Sequence, residues 1–287
     1  MTRRDALLLS LSAPLAAQVR ATRESHPTAA SAQNSPVQWN PHPVFIGAPV
    51  LFTSKTFSGP AAWLGRRIDF RADGDAFSAL AGVSLDDAPG SYALTFGDQR
   101  AEVTVTGHTY PSSRITVPPK FVAPPKEIQA QIDDEVATKQ KVFQSSPPER
   151  LWQGPFIPPS DTRYTSSFGA RRVYNGKTRS VHQGLDYAAA KGTQVTAANS
   201  GRVAIARAMY FEGGFIAIDH GESIFTLYMH LSEFLVKEGA AIDKGAPIAK
   251  SGSSGRATGP HLHFAVRWQD VYLEPSTLLG LWRVQPA

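Results

Sequence analysis

Four residues in the second half of the chain have side chains suited to binding a metal ion: His182, Asp186, His261 and His263. Two imidazoles and one carboxylate are enough to hold Zn²⁺, and a site with three protein ligands leaves the fourth tetrahedral position open for water. That open position is typical of catalytic zinc. The chain contains no cysteine, which excludes thiolate-based structural zinc sites. The residue types therefore predict metal-assisted hydrolysis.

The spacing of these residues indicates how they are presented. Residues 261–263 have the pattern His-x-His, and on a strand both imidazoles project to the same face, into one cleft. Residues 182–186 have the pattern His-x-x-x-Asp, where Gly184 and the following Tyr187 favour a loop or the start of a strand over a helix. A lone His-x-His is a weak indicator of a metal site. The two patterns together, with a further histidine at His230, favour one.

A series of glycine- and histidine-containing motifs runs through residues 160–275. They are Phe168-Gly-Ala-Arg-Arg172, His182-Gln-Gly-Leu-Asp-Tyr187, Ala197-Ala-Asn-Ser-Gly-Arg-Val203, Asp219-His-Gly221, Leu227-Tyr-Met-His-Leu231 and Thr258-Gly-Pro-His-Leu-His-Phe264. In type and order this set resembles that of lysostaphin-type (LytM-like) zinc metallopeptidases, which cut peptide bonds in the cross-links or bridges of peptidoglycan. Residues 41–107 also resemble, more weakly, a β-sandwich module that precedes this peptidase domain in some members.

The resemblance implies a role for each of the five residues. His182, Asp186 and His263 become the zinc ligands, while His230 and His261 handle protons and stabilise the oxyanion. The chemistry is consistent, because zinc lowers the pKa of its bound water to about 7 and a neutral histidine can take up the proton. An unperturbed pKa of about 6.5 suits histidine to that exchange.

Several other residues are weaker candidates. Asn199 and Tyr228 either line the groove and bind substrate or serve a turn and the core. Arg171 and Arg172 either meet a substrate carboxylate or lie on the surface. We interpret the glycine-rich segment at residues 251–255 as a flexible wall of the cleft, since no helix with a Lys-Ser/Thr pair follows it as in a phosphate-binding loop.

The elements that must position these residues are predicted to be all β, in two domains. Short alternating runs with turn residues indicate an immunoglobulin-like sandwich over residues 41–107. Residues 108–159 form a Pro-rich linker with one amphipathic helix over 126–143, ended by Pro147-Pro148. Residues 160–287 form the β-rich peptidase domain of LytM type. The 23 glycines and 22 prolines of the chain fit such a turn-rich architecture.

The first residues indicate location. A basic start followed by the apolar stretch 6–17 is typical of a signal peptide, predicted over residues 1–21, and a polar tether follows over 22–40. No other segment is suited to stable membrane insertion. The formal charge of +5 suits a polyanionic envelope and is too diffuse to indicate nucleic acid. We expect a monomer in the periplasm or cell envelope.

Together these observations predict an exported zinc metalloendopeptidase that acts on peptidoglycan stem peptides or cross-links. The alternative is a catalytically silent module that binds the cell wall or activates an amidase. Silent relatives of that kind typically lack one or more ligands. Since all three ligands and both accessory histidines are present here, the sequence favours the enzyme.

Overall fold

The computed structural model of the protein describes residues 35–176 and 178–282, with only the backbone at residues 178 and 179. As predicted, the molecule is built almost entirely of β-strands. The first domain contains β1 Val37–Asn40, β2 Val44–Phe45, β3 Pro49–Ser54, β4 Gly59–Trp63, β5 Arg66–Asp73, β6 Ala76–Gly82, β7 Gly90–Phe96 and β8 Gln99–Thr106. The predicted signal peptide and the first part of the predicted tether lie outside the described residues.

The first domain is a β-sandwich whose two sheets share one strand. One sheet has the order β1-β3-β6-β5 and the other β5-β4-β7-β8-β2, because the first half of β5 pairs with β4 and its end pairs with β6. Alternation explains the strands locally: in β8, Ala101, Val103 and Val105 are buried while the residues between them face solvent. The predicted boundary at residue 41 is corrected, since β1 lies in the segment predicted as tether and pairs with β3.

The linker is more structured than its prolines indicated. It contains β9 Ser112–Ile115, two short 3₁₀ turns at Pro119–Phe121 and Lys126–Ile128, and the helix α1 Gln129–Gln144, which confirms the predicted helix. At the end of α1, Val142 and Phe143 pack on a buried cluster of the second domain, where the ring of Phe143 lies 5.0 Å from that of Phe225. None of the described helices is long and apolar enough to cross a membrane.

The second domain contains one large antiparallel sheet. The strands of the second domain are β10 Tyr164–Ser166, β11 Arg171–Tyr174, β12 Thr178–Val181, β13 Leu185–Tyr187, β14 Gln194–Thr196, β15 Gly201–Met209, β16 Gly213–Asp219, β17 Ile224–Phe234, β18 Ala241–Ile242, β19 Pro247–Ser251, β20 Leu262–Trp268 and β21 Val271–Leu273, followed by the short helix α2 Pro275–Leu278. The main order is β10-β13-β20-β17-β16-β15-β18, and a separate small sheet has the order β12-β11-β9. Every residue of β16 is buried because the sheet is covered on both faces, with α1 packing on one of them.

The two domains share a continuous hydrophobic core. Their approach is close at Gly82, where an added Cβ would lie 2.2 Å from the Leu273 side chain. Next to this contact, the backbone N–H of Glu274 donates to the carbonyl of Gly47 at 2.8 Å. The sandwich therefore forms a fixed support for the sheet that carries the candidate site.

A largely buried carboxylate also ties the domains together. Glu222 accepts hydrogen bonds from Arg71 of the sandwich at 3.1 Å, from Arg150 at 2.9 Å and from the indole of Trp152 at 3.0 Å. Arg150 in turn donates to the Ser78 side chain at 2.9 Å and to its carbonyl at 2.7 Å. Removing the negative charge would leave two guanidinium groups without their anion.

We expect Glu222→Gln to lower the free energy of unfolding by about 2 kcal/mol, because it removes one partner of a largely buried ionic network. Urea-induced unfolding measures this change. The control is Asp69→Asn, which breaks the exposed Arg67–Asp69 pair and should leave the free energy of unfolding close to that of the parent protein. Equal stability of the two variants would contradict a structural role for the network.

Candidate metal centre

Three neighbouring strands position the centre of the site. In the β13–β20 ladder, Asp186 stands directly opposite His263, and on the other side of β20, Met229 of β17 is the partner of His263. His182 follows β12 and exchanges backbone hydrogen bonds of 2.8 Å with Gly169 and Ala170. The His-x-x-x-Asp segment is thus a loop leading into a strand, as the sequence indicated.

Three side-chain atoms converge in this arrangement. The Nε2 atom of His182 lies 3.0 Å from Oδ1 of Asp186 and 3.0 Å from Nδ1 of His263. That Nδ1 atom lies 2.8 Å from the same carboxylate oxygen. All three residues are buried or nearly so, with 3%, 7% and 9% of their surface exposed in the order His182, Asp186, His263. The geometry is that of a group able to hold a metal ion.

The convergent atoms are mainly acceptors. The Nδ1 atom of His182 lies 2.8 Å from the carbonyl oxygen of Ser167, which can only accept, so the proton of the neutral imidazole is on Nδ1 and Nε2 has a free lone pair. The carboxylate of Asp186 is a second acceptor. A neutral His263 can place at most one proton among the three convergent atoms. A bound cation would satisfy these lone pairs, and the bond from Nδ1 to a carbonyl is the usual way of orienting a metal-binding histidine.

The charge states fit this arrangement. Burial raises the pKa of Asp186, but its close polar contacts with His182 and His263 outweigh burial, so the pKa lies below its ordinary value and the group is an anion. Its second oxygen accepts from Nη2 of Arg172 at 2.6 Å. Burial lowers the pKa of His263 to about 4, which keeps the imidazole neutral at neutral pH.

His230 and His261 lie beside these three residues as a pair, with ring centroids 4.6 Å apart. The Nδ1 atom of His230 donates to the carbonyl of Ser254 and that of His261 to the carbonyl of Gly259, both at 2.8 Å. Both rings therefore keep Nε2 as a free acceptor, and for His261 this atom lies 3.9 Å from Oδ1 of Asp186. Burial, with the neighbouring His261 and His263, lowers the pKa of His230 to about 3.

A β-bulge brings His230 to this position. Two residues of β17, Met229 and His230, face a single residue of β16, and His230 has a positive φ of 65°. Bulges of this kind redirect side chains next to active sites, and a left-handed backbone at a non-glycine residue is strained. Ser254 holds the bulge: its hydroxyl accepts from the Gly214 N–H and donates to the Leu231 carbonyl, both at 2.8 Å.

Residues 180–275 match the sequence profile described as Peptidase family M23. Residues 180–275 belong to peptidase family M23. The chain is 36% identical over 126 residues to the peptidoglycan DD-endopeptidase ShyA of Vibrio cholerae, covering 44% of this chain and 27% of that protein. It is 41% identical over 106 residues to the DD-carboxypeptidase/endopeptidase Mpg of Neisseria meningitidis, covering 37% and 24%. The matched segment thus spans about a quarter of either relative.

A solved structure resembles most of the chain. A crystal structure described as an M23 peptidase from Pseudomonas aeruginosa covers 84% of this chain and 96% of its own, with a TM-score of 0.64 and 23% sequence identity. Similarity at this identity concerns the fold alone. It extends beyond the M23 domain, so the sandwich, the linker and the peptidase sheet recur together.

Two of the weaker sequence candidates do not reach the cleft of the M23 domain. Asn199 and Tyr228 have no exposed surface. The Asn199 side chain accepts from the N–H groups of Gln153 and Ser200 at 3.1 and 2.8 Å, which holds the segment entering the domain. The Tyr228 hydroxyl accepts from the Ala198 N–H at 2.8 Å. The interpretation that they bind substrate is thus wrong for the described conformation, and the alternative, a turn and the core, is what the structure shows.

Sequence reasoning missed two supports of the M23 centre. Arg172, left open between a substrate contact and the surface, binds Asp186. The segment 251–255, interpreted as a flexible wall, contains Ser254, which fixes the proton position of His230. Gly184 has a specific reason to be glycine, since an added Cβ would lie 2.5 Å from the His263 ring. Of these residues, only Arg172 could have been suspected from the sequence, through its position in the Phe-Gly-Ala-Arg-Arg motif.

With Zn²⁺ as the probe metal for this candidate site, we expect Arg172→Gln to bind the ion about 10- to 100-fold more weakly than the parent protein, because the Asp186 carboxylate loses its charged partner and its orientation. Competition titration with a chelating dye measures the affinity. The neighbouring Arg171 is exposed, so Arg171→Gln is the matched control and should bind zinc like the parent protein. Equal affinities of both variants would show that Arg172 does not support the site.

His220 predicts a pH dependence of stability away from the centre. It is fully buried, its Nδ1 donates to the Ser200 carbonyl at 2.7 Å, and its Nε2 accepts from Thr226 at 2.7 Å. Burial lowers its pKa to about 4. The unfolded chain takes up a proton near its ordinary pKa of about 6.5 whereas the folded protein does so only near 4, so stability is lost as the pH falls between these values.

The loss attributable to His220 between pH 7.5 and pH 4.5 should amount to roughly 2–3 kcal/mol, obtained from the part of the pKa difference that lies in this range. Urea unfolding of the parent protein and of His220→Gln at pH 7.5 and pH 4.5 measures it. Gln does not titrate, so the variant should lose less stability over this range than the parent protein. An identical pH dependence in both proteins would contradict the assignment.

Proposed function

We propose that the chain is an exported zinc metalloendopeptidase that hydrolyses peptide cross-links or stem peptides of bacterial peptidoglycan. The observation that carries the proposal is the convergence of the acceptor atoms of His182, Asp186 and His263 beside the paired His230 and His261. The substrate follows from the names of the relatives, peptidoglycan DD-endopeptidase and DD-carboxypeptidase/endopeptidase.

The donor set fits zinc. Atoms bound at about 2.0–2.1 Å to a tetrahedral ion lie roughly 3.3 Å apart, and the three atoms here are separated by 2.8–3.0 Å. A small expansion on binding would therefore suffice. When bound, zinc supplies a water of lowered pKa and polarises the scissile carbonyl.

The protein's own part in the reaction is proton transfer and orientation. His230 and His261 keep their protons on Nδ1 through carbonyl acceptors, so each presents an unprotonated Nε2. Such an atom can accept the proton released during attack and return it to the leaving amine. Once protonated, the same atom can donate a hydrogen bond to the oxyanion. Burial favours the neutral form of His230, which leaves its Nε2 unprotonated at neutral pH.

Export and an envelope location rest on the sequence, and a monomer is the default state. The basic and apolar first residues favour export, and a net charge of +5 suits an anionic wall.

We assign residues 41–107, extended to include β1, the task of supporting and positioning the peptidase domain. The shared core supports this division of labour.

The competing function is a silent module that binds the wall without cutting it. Incubation of the purified, zinc-loaded protein with isolated sacculi, followed by muropeptide analysis, distinguishes the two. We expect cleaved cross-links or stem peptides, and the products identify the bond. Zinc-loaded protein that releases no muropeptide and cuts no bond would favour the silent module.

Single substitutions should separate metal binding from proton transfer. We expect His182→Ala and His263→Ala to abolish stoichiometric zinc and activity together, because each removes a ligand. His230→Ala should retain zinc but lose about 10²- to 10⁴-fold in activity, the usual contribution of a general acid or base. Atomic absorption and sacculus digestion measure both properties.

His42→Ala, an exposed histidine of the sandwich, is the control and should change neither property. Stoichiometric zinc retained by both ligand variants would overturn the ligand assignment. Loss of zinc in His230→Ala would move His230 into the metal site itself.

A further inference from the structure

The linker between the domains forms part of the cleft that contains the candidate site. The cleft has a volume of about 550 Å³ and is lined by Asp186, His230 and His261 together with residues 113–117 of the linker. Such a volume suits a short peptide segment. Residues 258–261, which lead into β20, line the same cleft.

The linker is firmly attached where it borders the cleft. Strand β9 pairs in parallel with β11, and beyond it the side-chain amide of Asn175 accepts from the Val117 N–H and donates to the Val117 carbonyl, both at 2.9 Å. Val117 is buried with Phe121 and Tyr174. The linker therefore presents its side chains, including Arg114, from a fixed backbone.

A second arginine of the cleft is oriented by aromatic rings. The guanidinium of Arg256 lies 4.9 Å from the ring centroids of both Tyr174 and Phe211, and its backbone N–H donates to the Phe211 carbonyl at 2.8 Å. Stacking leaves the edge of a guanidinium, which carries its N–H donors, free to bind a ligand.

The charges lining this cleft do not balance. It contains three arginines, Arg114, Arg172 and Arg256, and one carboxylate, Asp186. Arg172 and Asp186 pair with each other. Within the part of the chain that the structure describes, neither Arg114 nor Arg256 has a carboxylate partner. Two guanidinium groups are therefore available beside the candidate centre, and their planar fork matches a carboxylate.

We propose that Arg114 and Arg256 form a carboxylate-binding subsite that selects peptides with free carboxylates next to the scissile bond. This inference rests on the proposed peptidase function and adds a specificity to it. The linker then contributes directly to substrate selection, because Arg114 belongs to β9 and not to the matched M23 segment.

Two synthetic cross-linked peptides test the subsite, identical except that the carboxylates next to the scissile bond are free in one and amidated in the other. We expect the zinc-loaded parent protein to cleave the free-acid peptide with a kcat/KM roughly tenfold or more above that of the amide, the usual worth of a charge-assisted pair. Arg114→Gln and Arg256→Gln should each reduce this ratio severalfold. Arg114→Lys keeps the positive charge but lacks the planar guanidinium fork, so it should retain part of the preference for the free-acid peptide.

The control is Arg207→Gln, which removes an exposed arginine paired with Glu238 and changes the net charge equally. Its preference should equal that of the parent protein. A ratio near one in the parent protein, or a ratio unchanged in both Arg114→Gln and Arg256→Gln, would overturn the subsite.

Failure of the subsite and failure of the peptidase function can be told apart. Fluorescence anisotropy of labelled forms of both peptides on His230→Ala measures binding without turnover. Preferential binding of the free acid that Arg114→Gln abolishes would support the subsite even if no bond is cut. Equal binding of both peptides would overturn it, whatever the activity on sacculi.

Discussion

The antiparallel register of β13 and β20 is the constraint on which the site depends. It places Asp186 opposite His263 on one face of the sheet, with β17 on the far side of β20. Because side chains alternate along a strand, a shift of one residue would turn the carboxylate to the opposite face and separate the three acceptor atoms. The buried Leu262 and Phe264 that flank His263 oppose such a shift, since it would expose them.

The centre concentrates polar groups where burial makes them costly. An ionised carboxylate away from water is tolerated only with partners, and Asp186 has the guanidinium of Arg172 and the imidazole of His263. The strained backbone of His230 is tolerated because Ser254 bonds both sides of the bulge. The shared core of the two domains offsets such local costs and keeps the geometry in place before any ligand arrives.

The two histidine-containing motifs could be recognised in the sequence because the residues within each of them lie only a few positions apart. The helix α1 was predicted close to its observed position, whereas β1 was missed because it lies in the segment predicted as a polar tether. Alanine-rich segments such as Ala76–Gly82 have weak intrinsic β preference and become strands through their neighbours. Strand β9 lies in a polar segment and exists because β11 offers it an edge.

The sequence by itself determined the type of centre, since two patterns of histidine and aspartate define the available ligands and the absence of cysteine excludes thiolates. Tertiary structure decided what surrounds that centre. Only the fold shows that Arg172 binds Asp186 and that the linker borders the cleft. It also shows that Tyr228 and Asn199 are fully buried. Spacing along the chain specifies neighbours on one strand, whereas contacts between distant segments arise from sheet register and packing.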